Sequence, residues 1–375
     1  MFLTARVLGI FSYLLSSMFF FMLAKRVKNS QTKIVMMLYL LVLCFMAYFY
    51  EPYITSDLYR IRIYVKDCAA MSWGNLFTSI KEGTSGLSST PAAMIYYKLI
   101  GLFDNDGIIA AVSCLIIYGM IFNMLIDYKQ RKNISNRTFV FVLFCFMAMD
   151  YFMPSIATIR SYLSAVFVAF CIYRENIKHK FNVINILLYI LALFFHSIGV
   201  ALVMFRIVCF MLEKGSSTLM RIFKILVILI CAIVATLYLK TYVEQNILKA
   251  VGYLKNNIYS YVWEWILCLI QTVIFWIVIK RAKENEIFQS VNELKNYKRL
   301  LILSEVALIL CNVSFAFLQR WCFFVALIIL PVFMQTIEKE TIMGNKKTKK
   351  LLLYASMIVY ILTCSRGYLC SLKFW

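Results

Sequence analysis

Charged side chains are scarce in this sequence, and their scarcity excludes an ordinary soluble fold. Only 15% of the 375 residues are charged, whereas 63% are hydrophobic and the mean hydropathy is +0.80. A soluble domain is about half apolar and about a quarter charged. A chain of this composition needs lipid as its solvent. We therefore predict an all-α polytopic membrane protein that forms a single membrane domain over residues 1–375.

Acidic residues are the minority among the charges, but the basic excess does not indicate a nucleic-acid partner. The chain has 39 Lys and Arg against 18 Asp and Glu, a net charge of +21. Most of the basic residues lie in short runs between apolar segments, which is how a membrane protein fixes its orientation. We expect a lipid bilayer as the partner of this chain and no nucleic acid.

The sequence also lacks the cysteine pattern of a metal site. Its 12 cysteines are scattered singly, mostly inside apolar runs, and none forms a Cys-x-x-Cys pair. Neither a zinc site nor a disulfide framework is indicated. We expect no metal and no cofactor.

Apolar runs of membrane-spanning length recur along the whole chain. A spanning helix needs roughly 17–25 such residues. The segment 3–24 is too long for a cleaved signal peptide, so it is predicted to be the first span. Simple spans are predicted at 3–24, 34–50, 107–126, 138–153, 156–173, 222–239, 261–279, 300–317, 321–337 and 351–368.

The basic loops predict the orientation of these spans. The loops on one side carry 25 of the 39 basic residues, which places that side in the cytoplasm. The run 183–212 lies between two such loops, so it must cross twice, with a turn near His196, Ser197 and Gly199. The prediction is then about 12 transmembrane helices with both termini outside. The long loop 51–106 is external, and its short apolar part, 91–103, is an interfacial or re-entrant helix.

Several ionisable residues fall on the predicted outer side although they are far apart in sequence: Asp57, Arg60, Asp150, Arg160, His196, Glu264 and Arg320. Charges within membrane segments are costly and are usually functional. Arginine binds phosphate oxygens in bidentate fashion, so this set predicts an external pocket for a lipid pyrophosphate. Simpler interpretations stay open. Arg160 and Arg320 can snorkel to headgroups, His196 can be a packing residue, and Asp57 with Arg60 can be an exposed pair.

Three short motifs within residues 55–200 resemble the EpsG family of Wzy-type polysaccharide repeat-unit polymerases. Ser56-Asp57-Leu58-Tyr59-Arg60 is similar to the Asp-Leu-Tyr-Arg of many capsule polymerases. Thr158 to Ser164 resembles the helix start that follows the family's arginine, although Ser161 replaces Gln or Asn and Ser164 replaces Ala. Phe195-His196-Ser197 is similar to the family's Phe-His-x-Ser, and Leu318-Gln319-Arg320 is a looser match to a late arginine.

The resemblance implies a glycosyltransferase that polymerises lipid-linked oligosaccharide repeat units into an O-antigen, capsule or exopolysaccharide. The units are carried by undecaprenyl pyrophosphate on the outer face of the bacterial cytoplasmic membrane. The fold implied is a membrane glycosyltransferase of the GT-C-like class, and the protein partners implied are a chain-length regulator and a flippase.

The resemblance also implies roles for particular residues. Arg160, His196 and Asp57 are the expected catalytic residues, with His196 or Asp57 as the base. Arg60, Tyr59 and Arg320 are expected to bind the pyrophosphate or the glycan. Three alternatives remain open: a ligase of the same chemistry, a flippase or transporter of lipid-linked sugars, and a non-catalytic assembly subunit that would tolerate loss of Arg160 and His196. A transporter is expected to have internal repeats and charges along the membrane midplane, and we find no repeat in this sequence.

The predicted orientation can be tested with single cysteines in a cysteine-depleted variant, because only external thiols react with an impermeant reagent in intact cells. We expect Lys66→Cys to be labelled and Arg131→Cys to be protected until the cells are opened. Labelling of position 131 but not of position 66 would invert the topology and would put the candidate residues in the cytoplasm.

Overall fold

The computed structural model describes most of the chain. The described residues are 2–52, 56–82, 87–88, 90–149, 152–211, 222, 226, 229, 262–288, 291–309, 315–344 and 347–364. The predicted span 222–239 therefore lies largely outside them. The part of the chain described in these ranges is helical and contains no β-strand.

The helices are α1 (Phe2–Arg26), α2 (Thr32–Tyr48), α3 (Asp57–Ala70), α4 (Trp73–Glu82), α5 (Pro91–Gly101), α6 (Ile108–Arg131), α7 (Asn136–Ala148), α8 (Phe152–Ala157), α9 (Ile159–Asn176), α10 (Val183–Phe195), α11 (Ser197–Met211), α12 (Val262–Glu284), α13 (Val291–Ile309), α14 (Phe315–Ile342) and α15 (Lys347–Cys364).

Three of these helices contain a stretch long and apolar enough to cross a membrane, namely Ile108–Arg131, Trp265–Glu284 and Leu318–Ile342. Other apolar helices, such as α2 and α10, are shorter. Both present large apolar side chains to the outside of the bundle, among them Leu41 and Phe45 on α2 and Leu187 on α10. Such faces are costly in water but suit lipid. The prediction of an all-helical chain with membrane-spanning helices is thus confirmed at this level.

Helix α9 is the centre of the bundle. It packs against α6, α8, α10, α11 and α14, and 13 of its 18 residues are buried. The rings of Tyr162 on α9 and Phe323 on α14 lie 4.4 Å apart, centroid to centroid. Because α9 and α14 are enclosed by other helices, residues on their first turns are held in fixed positions.

The predicted break in the long apolar run 183–212 occurs at His196. This residue has an extended backbone (φ −161°, ψ 151°) between α10 and α11, and both helices pack against α9. Gly199 permits the sharp turn, because a β-carbon at this position would lie 1.9 Å from the carbonyl oxygen of Ala192. The prediction that this segment contains two helices is confirmed.

The segment 51–106, expected to be a long loop, is mostly helical. Helices α3, α4 and α5 form a layer at one end of the bundle, with α5 packed on α3 and α10. Lys98 on α5 is buried, and its ammonium group donates to the carbonyl oxygens of Ala69 (2.8 Å) and Met71 at the end of α3. A cation at a helix C-terminus is favourable, so Lys98 fixes α5 on α3. We call this end, with the N-terminal turns of α6, α9 and α14 (including Arg320 on the second turn of α14), the site end.

The basic loops meet at the opposite end of the bundle, which we call the basic end (residues 25–33, 127–137, 174–180, 280–287 and 335–344). Side chains join these loops across long stretches of sequence. Examples are Asn136 Nδ2 to Val27 O (2.6 Å), Lys178 Nζ to Asp127 Oδ1 (3.1 Å) and Ser135 Oγ to Glu338 Oε2 (2.8 Å). The two ends therefore differ in charge, as the loop pattern in the sequence predicts.

The close approach at Gly199 gives a direct test of the packing between α10 and α11. Gly199→Ala forces a methyl group onto a backbone carbonyl, and overpacking of this kind costs at least about 1–3 kcal/mol. We expect a lower midpoint of thermal unfolding in detergent. Gly119→Ala is the matched control, because its β-carbon would meet only Leu40 Cδ2 at 3.6 Å. The control is expected to gain roughly 0.5–1 kcal/mol from helix propensity. An unchanged midpoint for Gly199→Ala would refute the turn described here.

Candidate functional site

Asp57 joins two arginines that lie about 260 residues apart in the chain. Its Oδ1 accepts from Arg60, one turn further along α3, and its Oδ2 lies 3.7 Å from the Arg320 guanidinium on the second turn of α14. The Arg320 side chain is 16% exposed and that of Arg60 is 61% exposed. The structure thus brings together three of the six candidate residues, and we call these three the Asp57 cluster.

Local sequence explains why the Asp57 cluster forms where it does. Ser56 is the N-cap of α3, and its hydroxyl accepts from the backbone N–H of Tyr59 at 3.3 Å. A serine cap followed by an acidic residue in the first turn starts a helix and places the carboxylate near the positive end of its dipole. On α14, Trp321 fixes the neighbouring Arg320, because its indole N–H donates to Ser304 Oγ at 2.8 Å.

Arg160 lies on the first turn of α9 at the same end of the molecule. Its side chain is half-buried, and among the described residues no ion pair or hydrogen bond engages its guanidinium group. Ser161 and Ser164 are buried and donate to the carbonyl oxygens of Thr158 (2.9 Å) and of Arg160 itself (3.0 Å). The hydroxyl groups of Ser161 and Ser164 therefore bond the backbone of α9. Neither of them forms a hydrogen bond with the Arg160 guanidinium group.

Tyr97, which the sequence analysis did not single out, lies close enough to Arg160 and Asp57 for both charges to act on its hydroxyl. It is on α5 and is 0% exposed, and its hydroxyl has no hydrogen-bond partner within the described part of the chain. Burial raises the pKa of this phenol, the charge of Arg160 opposes that rise, and the charge of Asp57 adds to it. The hydroxyl thus stays neutral and can donate one hydrogen bond. Nothing in the sequence distinguishes it from Tyr96.

His196 is a capping residue in this structure. Its Nδ1 accepts from the backbone N–H of Ile198 at 3.2 Å, at the start of α11. When Nδ1 accepts this bond, the proton of the neutral ring lies on Nε2, which can then donate a hydrogen bond. It belongs to the same region as Tyr97, since the rings of Phe195 and Tyr96 are 5.6 Å apart.

The remaining candidates contribute less to the site. Tyr59 is 38% exposed on α3, on the surface of the site end. The side chains of Asp150 and Glu264 lie outside the described part of the structure. No group of three or more His, Cys, Asp and Glu side chains able to hold a metal ion occurs within the described ranges.

A cavity of about 580 Å³ lies elsewhere, at the basic end. Polar and apolar side chains line it, including Lys132, Glu175, Arg206, Glu293 and Phe205. The Arg206 guanidinium forms an ion pair with Glu175 at 2.7 Å. None of the six candidate residues lines this cavity, so it is separate from the site described above.

The site end carries an excess of positive charge, which suits an anionic ligand. Helices α3, α9 and α14 all begin there, and their N-termini add partial positive charge to three arginines. One carboxylate balances part of that charge. An oxyanion such as a phosphate fits this arrangement better than a cation or an apolar ligand. No protein-family model, curated protein or solved structure significantly matches this chain.

The Asp57 cluster can be tested by double-mutant cycles on stability. Asp57→Asn and Arg320→Gln, alone and together, are expected to couple by about 1 kcal/mol, because this pair is partly shielded from water and joins two distant helices. The control pair, Asp57 with Arg60, is exposed and within one helix, so we expect a coupling of only about 0.2–0.5 kcal/mol. A coupling to Arg320 no larger than that to Arg60 would show that Asp57 does not link α3 to α14.

Proposed function

We propose that this protein polymerises lipid-linked oligosaccharide repeat units, using undecaprenyl pyrophosphate as the leaving group. The observation that carries the proposal is the convergence of Arg60, Arg160 and Arg320 with Asp57 and Tyr97 at one end of an apolar bundle. Phosphate is the ligand for which such a set of donors is suited. Two of the three motifs that resemble Wzy-type polymerases contain these residues, Asp57 and Arg60 in the first and Arg160 in the second.

The proposed location is the outer face of the bacterial cytoplasmic membrane. The basic end carries the loops that the positive-inside rule keeps in the cytoplasm, so the site end faces outward. We propose about twelve crossings in a GT-C-like arrangement, with the layer of α3, α4 and α5 covering the outer end. A lipid-linked donor can then enter from the outer leaflet, with its polyprenyl chain along the apolar faces of the helices.

In the proposed reaction, a sugar hydroxyl of one lipid-linked unit attacks the anomeric carbon at the reducing end of the growing chain. The new glycosidic bond forms as the bond from that carbon to the pyrophosphate oxygen breaks. Negative charge develops on the departing oxygen, and the hydroxyl loses its proton. Arg160 is the residue best placed to stabilise the departing oxygen, since no other residue described in the structure engages it.

The structure favours Asp57 over His196 as the proton acceptor. The Nδ1 atom of His196 already accepts from a backbone N–H. Asp57 has two oxygens held by Arg60 and Arg320, and a pyrophosphate competes with it for both arginines. In this proposal, binding of the donor frees the Asp57 carboxylate from the two arginines, so that it can accept the proton of the attacking hydroxyl. Tyr59, exposed on the same helix, is available to stack against a sugar of the glycan.

The substitution Arg160→Lys separates catalysis from anchoring. Lysine keeps the charge and can snorkel, but it lacks the planar fork that grips a phosphate. Charge-assisted hydrogen bonds are worth about 1.5–3 kcal/mol, so loss of one from the transition state slows turnover on the order of 10- to 150-fold. We expect short surface glycan and accumulated single repeat units, at an unchanged protein level.

The measurement is the chain-length distribution of the glycan beside a membrane immunoblot. Arg131→Lys is the matched control, because that arginine is 45% exposed at the basic end and is paired with Asp127 at 2.8 Å. The control is expected to make polymer of normal length. Normal polymer from Arg160→Lys would assign Arg160 to anchoring. Normal polymer but unattached glycan in a deletion strain would favour a ligase of the same chemistry.

A further inference from the structure

The hydroxyl of Tyr97 on α5 is buried but has no hydrogen-bond partner within the described ranges. A buried polar group without a hydrogen bond destabilises the protein, and native structures rarely retain one without a reason. Within the described ranges no atom bonds this hydroxyl, although the side chain is fully buried. Tyr96, the next residue, has its hydroxyl 2.8 Å from Ser113 Oγ. The same helix therefore satisfies one tyrosine and leaves its neighbour unsatisfied.

The charged groups around Tyr97 indicate which kind of partner its hydroxyl can bond. The positive charge of Arg160 acts on it, and so does the carboxylate of Asp57. A phenol and a guanidinium group are both hydrogen-bond donors, so they cannot satisfy each other. The Asp57 carboxylate lies against Arg60 and Arg320 and accepts no hydrogen bond from the Tyr97 hydroxyl. An acceptor with negative charge that comes from outside the chain is the missing partner.

We propose that the Tyr97 hydroxyl and the Arg160 guanidinium group together bind one phosphate group of the ligand. The inference rests on the proposed function for the identity of the ligand, a lipid-linked pyrophosphate, but the phosphate site itself does not depend on polymerisation. Tyr97 supplies a directional donor from a buried position, and Arg160 supplies the charge. The cost of leaving the hydroxyl unsatisfied in the empty protein is recovered when the phosphate binds.

This account predicts that affinity and stability change in opposite directions. Tyr97→Phe removes a hydroxyl that has no partner in the empty protein, so the midpoint of thermal unfolding is expected to stay the same or rise. The same substitution removes a hydrogen bond to a charged ligand, so affinity for the phosphate is expected to fall by on the order of 10- to 150-fold. Tyr96→Phe is the matched control. It is expected to lower the unfolding midpoint and to leave the affinity for the phosphate unchanged.

The experiment uses the full chain in nanodiscs of phosphatidylcholine, with calorimetric titration of inorganic pyrophosphate and of a short-chain polyprenyl pyrophosphate. Arg160→Lys and the double variant with Tyr97→Phe complete a cycle on affinity. If both residues hold one phosphate, their effects are expected to be non-additive. Equal affinities for Tyr97→Phe and the unchanged protein, or a loss that Tyr96→Phe shares, would overturn the proposal.

Two further results separate the possible sources of the phosphate and separate this inference from the proposed function. If nanodiscs of phosphatidylglycerol abolish pyrophosphate binding, the site takes phospholipid headgroups, and its assignment to a lipid-linked donor is wrong. If pyrophosphate binds in a Tyr97-dependent manner but cells lacking the protein make normal polymer, the phosphate site is supported. The proposed polymerase function is then wrong. If Arg160→Lys shortens the polymer while Tyr97→Phe changes neither the affinity for pyrophosphate nor the polymer length, the proposed polymerase function is supported. The proposed role of Tyr97 is then wrong.

Discussion

Placing a charge inside an apolar helical bundle is expensive unless a partner compensates it, and this constraint organises the charges of the molecule. At the basic end, Asp127 is engaged by Arg131 and Lys178, and the loops are joined by further polar contacts. At the site end, Asp57 is shared between Arg60 and Arg320. Arg160 has no such partner within the described structure, and in our proposal a phosphate group of the ligand compensates its charge.

The helix packing makes that arrangement rigid. Arg160 lies on the first turn of α9 and Arg320 on the second turn of α14, and these two helices are packed against each other in the middle of the bundle. Ser161 and Ser164 turn their hydroxyl groups onto the backbone of α9 itself, so they fill little space and leave no polar group unpaired. In our proposal a phosphate binds between these N-terminal turns and meets donors already in place, which is the requirement for electrostatic stabilisation of a departing oxygen.

Much of this architecture follows from the sequence, and the failures have identifiable physical causes. Apolar periodicity and loop charge predict the helices, the break at His196 and the common location of Asp57 and Arg320. The helices of segment 51–82 escape that analysis because they are short and polar, and only the cap at Ser56 signals their start. Tyr97 could not be found at all, because it differs from Tyr96 only in what tertiary packing places beside its hydroxyl. Likewise, the capping role of His196 depends on where the N–H of Ile198 points.

The most direct test of the account is polymerisation by the purified chain alone. The protein is reconstituted into liposomes with lipid-linked repeat units as the sole substrate, and glycan length and released polyprenyl pyrophosphate are measured together. The account predicts a ladder of glycans on lipid, with one pyrophosphate released for each bond formed, and loss of both with Arg160→Lys. Repeat units that stay single, with no pyrophosphate released from protein shown to be folded, would contradict it.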